Sequence, residues 1–315
     1  MEVKVLDLFS GAGGFSKGIE MAGYTITKHY FSEIDKHAIA NYLYNFKNAE
    51  YYGSVTDVQG RRNEVDIITF GSPCQDFSLA GKRKGMEGER SSLIREAIRL
   101  IDEIRPSIFV WENVKGTFSS NDGADFWGII AAFANIGGYR LEWQLLNTSW
   151  FLPQNRERIY LIGHLAERSE RGVFPIGEED KINYERKKIR NIYDCTRCLT
   201  TRYAQDDSTG SFIKIKSNTK KGYEEAKEGD SINFSVPTSK TRRGRVGKGK
   251  AQTLDTQCNQ GVIEKTNIRR LTQIECERLQ GFPDDWTKYG IYDGKVKEIP
   301  KTQRYKLMGN AVTLK

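Results

Sequence analysis

The sequence predicts an α/β protein, built as a doubly wound, largely parallel sheet with a second, smaller, irregular β-containing lobe. Short apolar runs alternate with helical stretches through the first 165 residues, the pattern of strands and helices laid down in turn. A glycine cluster, Gly11-Ala-Gly-Gly14, separates the first apolar run from the first helical stretch, as where a buried strand turns tightly into a helix. From residue 172 to residue 268 the periodicity gives way to a polar stretch rich in Gly, Ser, Thr and Lys. At 315 residues and 38% apolar composition the chain can fill one core of ordinary size and a smaller second one. The expected division is 1–171 plus 269–315 for the sheet and 172–268 for the small lobe.

Each element follows from local chemistry. Val3 to Phe9 is a strand, and the helix after Gly14 carries Phe15, Ile19, Met21 and Ala22 as apolar positions. Strand, glycine turn and helix make a nucleotide-type corner, because backbone N–H groups can approach a ligand only where no Cβ intervenes. The third glycine of a nicotinamide fingerprint is replaced by Ser16, which disfavours a dinucleotide pyrophosphate. Glu33, at the end of the second strand and 22 residues after Gly11, offers a carboxylate to both hydroxyls of a ribose. Gly53 to Asp57 marks the third strand end. Ile67 to Phe70 reads as a buried strand that stops at Gly71 and delivers Pro73 and Cys74 to a loop. A cysteine there is a candidate nucleophile, although an isolated one is more often a small buried hydrophobe. The loop carries Gly81, Gly85 and Gly88 with Lys82, Arg83, Lys84 and Arg90, and ends at Ser91-Ser92 as a cap for a helix over 93–104. Ser107 to Trp111 is a strand ending in Glu112-Asn113-Val114, which brings a carboxylate to the sheet edge that also holds Cys74. A helix over 124–135 and strands over 140–147 and 158–163 complete the alternation, with Gln154-Asn-Arg156-Glu-Arg158 entering the last strand.

In the polar stretch, Phe212 to Lys216 alternates as a short strand. Lys240 to Lys250 holds six cations in eleven residues with no acid, the composition of a segment that follows phosphates. Leu271 to Leu279 reads as a helix with Thr272 and Glu275 as a capping box.

With 49 basic against 41 acidic side chains, the net charge of +8 favours a polyanionic partner. Met1-Glu-Val-Lys4 leads directly into a strand, and no apolar run approaches the ~18 residues of a membrane span, so a cytoplasmic protein with no membrane partner is expected. Five scattered cysteines fit reduced thiols. Cys195-Thr-Arg-Cys198 has no second pair and the chain has three histidines, so no metal site is expected.

Taken in order, Phe9-Ser-Gly-Ala-Gly-Gly14, Pro73-Cys-Gln-Asp-Phe-Ser78, Glu112-Asn-Val114, Gln154-Asn-Arg-Glu-Arg158, Arg269-Arg-Leu-Thr272 with Gln280-Gly-Phe-Pro283, and Gly309-Asn310 resemble the blocks of the C5-cytosine DNA methyltransferases. The resemblance covers about residues 3–165 and 251–312. It implies a Rossmann-like S-adenosylmethionine-dependent methyltransferase sheet with a target-recognition lobe, S-adenosylmethionine as cofactor with S-adenosylhomocysteine as product, and double-stranded DNA as partner. It also implies a monomer and, where the role is restriction-modification rather than that of an orphan or phage enzyme, a cognate restriction endonuclease acting on the same site. Residue by residue, it implies Cys74, Glu112, Arg156 and Arg158 as catalytic. Phe9, Gly11, Gly13, Gly14, Glu33, Ile34, Ser54, Val55, Pro73, Leu93 and Asn310 would hold the cofactor, with Ile34 on the adenine. Gln75, Ser78, Lys82, Arg83, Lys84, Arg242, Arg243 and Arg245 would meet DNA.

Two departures stand out. Ser54 occupies the place of an aspartate that accepts from the adenine amino group, so Asp57 or a backbone group takes over that contact, or affinity is lower. In the resembling enzymes Gly-Asn-Ala-Val opens a helix of several turns, whereas Lys315 comes five residues after Asn310, so a shortened protein is expected. Other readings explain less. An oxidoreductase shares the first 35 residues but leaves Pro-Cys, Glu-Asn-Val and Gly-Asn unexplained. A zinc deaminase would need a second cysteine and a His-Xaa-Glu. A catalytically inactive DNA-binding homologue would have no need of Cys74, Glu112, Arg156 and Arg158. A tRNA cytosine-5 methyltransferase uses the same motifs, and the long basic lobe favours DNA. The target sequence is not legible, since specificity would reside in the lobe without resemblance.

Overall fold

The computed structural model describes residues 1–72, 93–168, 172–176, 213–234, 245–264 and 267–314. Its first half is β1 (Glu2–Leu8), α1 (Gly14–Met21), β2 (Thr25–Ser32), α2 (Lys36–Asn45), β3 (Ala49–Tyr51), β4 (Ile67–Gly71), α3 (Leu93–Ile104), β5 (Ile108–Val114), α4 (Ala124–Asn135), β6 (Tyr139–Asn147), β7 (Gln154–Asn155) and β8 (Glu157–Leu165). Seven of these strands form one sheet in the order β3-β2-β1-β4-β5-β8-β6. The five from β3 to β5 are parallel, and β8 runs antiparallel to both β5 and β6. The chain starts at β1, steps outwards to β3, and returns to β4 on the other side of β1. Strand order therefore reverses between β1 and β4, and the carboxyl ends of these strands open a crevice.

One face of the sheet is sealed by a large apolar core. Leu6, Leu8, Ile68, Phe70, Phe109 and Trp111 alternate along their strands and pack with Ile94, Leu100, Ile129 and Phe133. In α3 the buried positions are Ile94, Ala97, Leu100, Ile101 and Ile104, a three-to-four spacing that puts one apolar stripe on the sheet. Each fully buried Leu, Ile or Phe contributes about 1.5 to 3 kcal/mol of transfer free energy. Packing is close enough that a Cβ on Gly163 would lie 2.0 Å from the Phe109 ring.

The opposite face carries a buried polar cluster under the glycine corner. Thr69 donates to Asp7 Oδ1 at 2.8 Å, and Tyr42 and Ser16 donate to Oδ2 at 3.1 and 3.2 Å. His29 Nε2 lies 2.9 Å from Ser16 Oγ and 2.8 Å from Tyr42 Oη. Burial drives Asp7 up from 3.8 to about 7, so between those values the folded protein holds a proton the unfolded chain has lost. That contribution to stability is full below 3.8 and is lost as pH rises through about 7. Burial drives His29 down from 6.5 to about 4, so its contribution is full above 6.5 and is lost as pH falls towards 4. The two oppose one another across the shared window. Asp7→Asn removes the first alone, so its melting temperature should fall more steeply than wild type as pH drops from 6.5 towards 4. Parallel melting curves against pH for the two proteins would contradict this.

The second half is β9 (Ile213–Lys216), β10 (Tyr223–Ala226), β11 (Ser231–Asn233), β12 (Val246–Gly247), β13 (Ala251–Gln252), β14 (Gln260–Glu264), β15 (Asn267–Arg270), α5 (Gln273–Leu279), β16 (Tyr289–Tyr292), β17 (Lys295–Glu298) and α6 (Lys301–Asn310). β9 and β10 form a hairpin, and β12-β11-β14-β15 a small sheet around Ile215, Ala226, Ile232 and Ile263. β13 instead pairs in parallel with β7, so this stretch is stitched to the main body. A second core unites Leu254 and Cys258 with Leu271, Cys276 and Leu279 beside α5 and with Leu307 and Met308 on α6, and it reaches Ala12 in the glycine corner. The capping box is present, with Glu275 N donating to Thr272 Oγ1 at 3.2 Å and Thr272 N to Glu275 Oε2 at 2.8 Å. The helix it opens begins at Gln273, and Leu271 is buried ahead of the cap.

The closing segment folds back on the first glycine turn. Trp286 Nε1 donates to the Ala12 carbonyl at 2.9 Å, and a Cβ on Gly14 would lie 2.9 Å from the Val312 carbonyl oxygen. Where Gly-Asn-Ala-Val opens a helix in the resembling enzymes, Gly309-Asn310 ends one here. α6 ends at Asn310, Ala311 turns extended with φ −65° and ψ 146°, and Leu314 N donates to the Gln280 carbonyl at 2.8 Å. Asn310 closes a helix, because the backbone beyond it finds its partner across the chain at Gln280.

Candidate active site

A cavity of about 590 Å³ opens where β1, β2, β4 and β5 end. On one side lie Phe9, Gly11 and Gly14. Phe9 and Gly11 turn the chain with φ of 51° and 53°. Glu33 is held by three backbone donors, with Gly11 N on Oε2 at 2.9 Å and Ile34 N and Asp35 N on Oε1 at 2.8 and 3.0 Å. Its carboxylate is thus fixed at the rim with lone pairs to spare for a diol. Ile34 is 78% exposed and lines the cavity, an apolar side chain free to pack on a flat base. Ser54, Val55 and Leu93 continue the wall. Ser54 Oγ accepts from Thr56 Oγ1 at 2.9 Å, and Asp57 is not among the lining residues. Gly13 stands behind the wall with a left-handed φ of 78°, and a Cβ there would meet the Phe46 ring at 2.4 Å, so both backbone conformation and packing call for glycine. These features fit a nucleoside with a charged tail.

The other side of the cavity is built by strand register. Gly71 on β4 pairs with Glu112 on β5, which pairs with Tyr160 on β8. Glu112 Oε1 lies 3.0 Å from Arg158 Nε, with only 11% and 14% of the two side chains exposed. Both line the cavity. Ser72 is the last described residue before Pro73 and Cys74, which lie outside the described residues. It is clamped from β5, where Trp111 Nε1 donates to its Oγ at 3.0 Å and Asn113 Nδ2 to its carbonyl at 3.0 Å. This clamp sets where the chain leaves β4 towards Cys74. Trp111→Phe deletes the donor and leaves a smaller ring in a core fitted to the indole, so it should cost more than the ~1 kcal/mol of the lost hydrogen bond alone and slow a single turnover without changing cofactor affinity. Equal turnover rates for variant and wild type would show that the clamp does not matter.

Arg156 is 3% exposed. Its Nη1 donates to the Gly309 carbonyl at 3.3 Å and its Nη2 to the Ala311 carbonyl at 2.9 Å. Burial pushes its guanidinium down to about 10, with Arg158 adding to the effect. Asn310 lines the cavity from the end of α6.

Gln75, Ser78, Lys82, Arg83, Lys84, Arg242 and Arg243 lie outside the described residues, as do Cys195 and Cys198. Arg245 donates from Nε to the Asn233 carbonyl at 2.9 Å and from Nη1 to the Lys216 carbonyl at 2.6 Å, so much of its guanidinium braces the small sheet. Lys250 nearby is exposed. Sequence reasoning missed Asp35 and Lys306, an ion pair of 2.5 Å at the cavity mouth, and Ser72 and Asn113 in the clamp. The lysine could not be found because nothing local links position 306 to position 35; Asn113 was visible only as part of a motif. Among the described residues no group of three or more His, Cys, Asp or Glu could hold a metal, and no helix is long and apolar enough to cross a membrane.

A family model described as C-5 cytosine-specific DNA methylase matches residues 3–315. Among curated relatives, the type II methyltransferase M.Bsp6I of Bacillus sp. (strain RFL6) is 30% identical over 99% of this chain and 95% of its own length. The type II methyltransferase M.HaeII of Haemophilus aegyptius is 31% identical over 99% and 90%. Two solved structures share the fold. The crystal structure of S. pombe Dnmt2 methyltransferase superposes with a TM-score of 0.61 at 17% identity over 99% of this chain and 94% of that one. A putative DNA modification methyltransferase from an E. coli prophage gives 0.60 at 22% identity, over 99% and 95%.

Proposed function

Because this chain belongs to the C-5 cytosine-specific DNA methylase family, we propose that it transfers a methyl group from S-adenosylmethionine to C5 of a cytosine flipped out of a specific double-stranded DNA sequence. Residues 1–171 with 269–315 bind cofactor and catalyse, and 172–268 recognise the target. The observation that carries this reading is one cavity holding Glu33 at one end and the Glu112–Arg158 pair at the other, lined also by Gly71 and Ser72 where the described part of the β4 segment ends.

Cytosine C5 is a weak nucleophile, so methylation needs a covalent detour. Cys74 as thiolate adds to C6 and forms a C–S bond, which moves the electron pair to C5. S-adenosylmethionine supplies the electrophilic methyl group that C5 accepts. C5 then loses its proton to a base, and the returning electron pair expels the Cys74 thiolate. Glu112 holds N3 and the exocyclic amine, and Arg158 places positive charge beside O2 as electrons accumulate on the ring. Glu33 takes the ribose hydroxyls, Ile34 the adenine face, and Asn310 the amino-acid end; Pro73 contributes to the same wall. Flipping costs a few kcal/mol, offset by backbone contacts from Lys82, Arg83, Lys84, Arg242 and Arg243, with Gln75 and Ser78 beside the flipped base. The enzyme works as a cytoplasmic monomer, with a restriction endonuclease of the same specificity as its natural companion.

The test is methyl transfer from labelled S-adenosylmethionine to duplex DNA and to tRNA in parallel, with bisulfite sequencing of the DNA product. Label at C5 of one cytosine in a defined DNA sequence is expected. Label in tRNA alone would reassign the substrate, and label in neither would reject the activity.

A further inference from the structure

Arg156 carries more than its place beside Arg158 requires. The chain enters β8 with alternating sides, so Gln154 and Arg156 turn inwards and are buried while Asn155 is exposed. Gln154 Nε2 donates to the Leu279 carbonyl at 2.9 Å, next to Gln280. Gln280 Nε2 in turn donates to the Met308 carbonyl at 2.8 Å, and its Oε1 accepts from Thr313 Oγ1 at 2.7 Å. Arg156 completes this web on the carbonyls of Gly309 and Ala311, the two residues that bracket Asn310. The backbone from 308 to 313, where α6 stops and the chain turns extended, is therefore held by side chains of two distant segments. Asn310 itself is exposed to the cavity.

We propose that Arg156 is a positioning residue for the cofactor rather than a charge on the base, a proposal that rests on the S-adenosylmethionine reading above. By fixing the Gly309–Asn310 and Ala311–Val312 peptide groups, one on each side of Asn310, it fixes where that side chain's amide meets the amino-acid end of the cofactor. Its planar fork suits the task, since a guanidinium can serve two carbonyls at once and a lysine ammonium cannot do so with the same geometry. Two neighbouring arginines then divide the work. Arg158 faces Glu112 and the reacting base, and Arg156 faces the turn that holds the methyl donor's tail.

The experiment uses the full chain with Arg156→Gln, Arg156→Lys, Asn310→Ala and the double variant Arg156→Gln/Asn310→Ala. It measures calorimetric affinity for S-adenosylhomocysteine without DNA, the single-turnover methylation rate at saturating cofactor, and melting temperature as a folding control. Arg156→Gln should weaken S-adenosylhomocysteine by about tenfold to a hundredfold, the range for a lost buried charged hydrogen bond, with the saturated single-turnover rate within about threefold of wild type. Arg156→Lys should fall between the two. The double variant should be no weaker than the worse single variant, because both act through one side chain. Should Arg156→Gln fail to fold, Arg156→Lys combined with Asn310→Ala supplies the same cycle. Unchanged cofactor affinity with a slowed saturated turnover would overturn the inference alone, as would additive losses in the cycle. A wild-type chain that binds no S-adenosylhomocysteine would overturn the functional reading and the inference with it.

Discussion

Cys74→Ser is expected to abolish methyl transfer and to leave binding to duplex DNA within a few-fold of wild type. That is the largest effect expected from a single substitution in this protein. A hydroxyl is a far weaker nucleophile than a thiolate, and losing the nucleophile of a covalent mechanism costs several orders of magnitude. The wild-type chain should also become covalently trapped on DNA carrying 5-fluorocytosine, whose fluorine cannot leave as a proton, and the serine variant should not. Both results can be read on one denaturing gel beside a filter-binding curve. If the serine variant methylates at a rate near wild type, the C–S bond is not on the path.

The next largest effect belongs to Arg158→Met. Its guanidinium sits 3.0 Å from Glu112 with about one-tenth of each side chain exposed, so its removal strands a nearly buried carboxylate. Breaking such a pair costs about 3 to 5 kcal/mol of stability, and the residual exposure places the expectation at the lower end. Losing a positive charge aimed at developing negative charge should also lower the single-turnover rate by about 10²- to 10³-fold. Adding Glu112→Gln to Arg158→Met removes the stranded charge, so melting temperature should recover in part while activity does not. A double variant that melts no higher than Arg158→Met would mean that the carboxylate was never left uncompensated.

Most of the sheet was legible because its periodicities are local. Ile67 to Phe70 and Ile108 to Trp111 announce buried strands, Gly11-Ala-Gly-Gly14 announces the turn, and Thr272 with Glu275 announces a helix start. What sequence could not supply was register and pairing at a distance. Nothing in Glu157 to Leu165 says that this strand runs antiparallel between two neighbours, which is what sets Arg158 opposite Val114 and lets its side chain reach diagonally to Glu112. The resemblance put Arg156 and Arg158 at the site together. Only folding showed one of them facing Glu112 and the other the Gly309 and Ala311 carbonyls. No proline or glycine follows Asn310 to announce the stop at Ala311; the extended turn is held from Gln280, some thirty residues earlier in the chain.

The contact between Gly14 and Val312 also has a meaning in time. A ribosome adding roughly 5 to 20 residues per second needs about 15 to 60 s to travel from one of these positions to the other. Throughout that interval α1, only eight residues long, has no partner for the side that meets Val312 and Leu314, and a helix that short is marginal alone. The parallel strands β1, β2 and β4 can pair early, but the glycine corner they frame stays open until the last part of the chain arrives. A ligand of this corner would therefore find it closed only once residues 312 to 314 have emerged and reached Gly14 and Gly18.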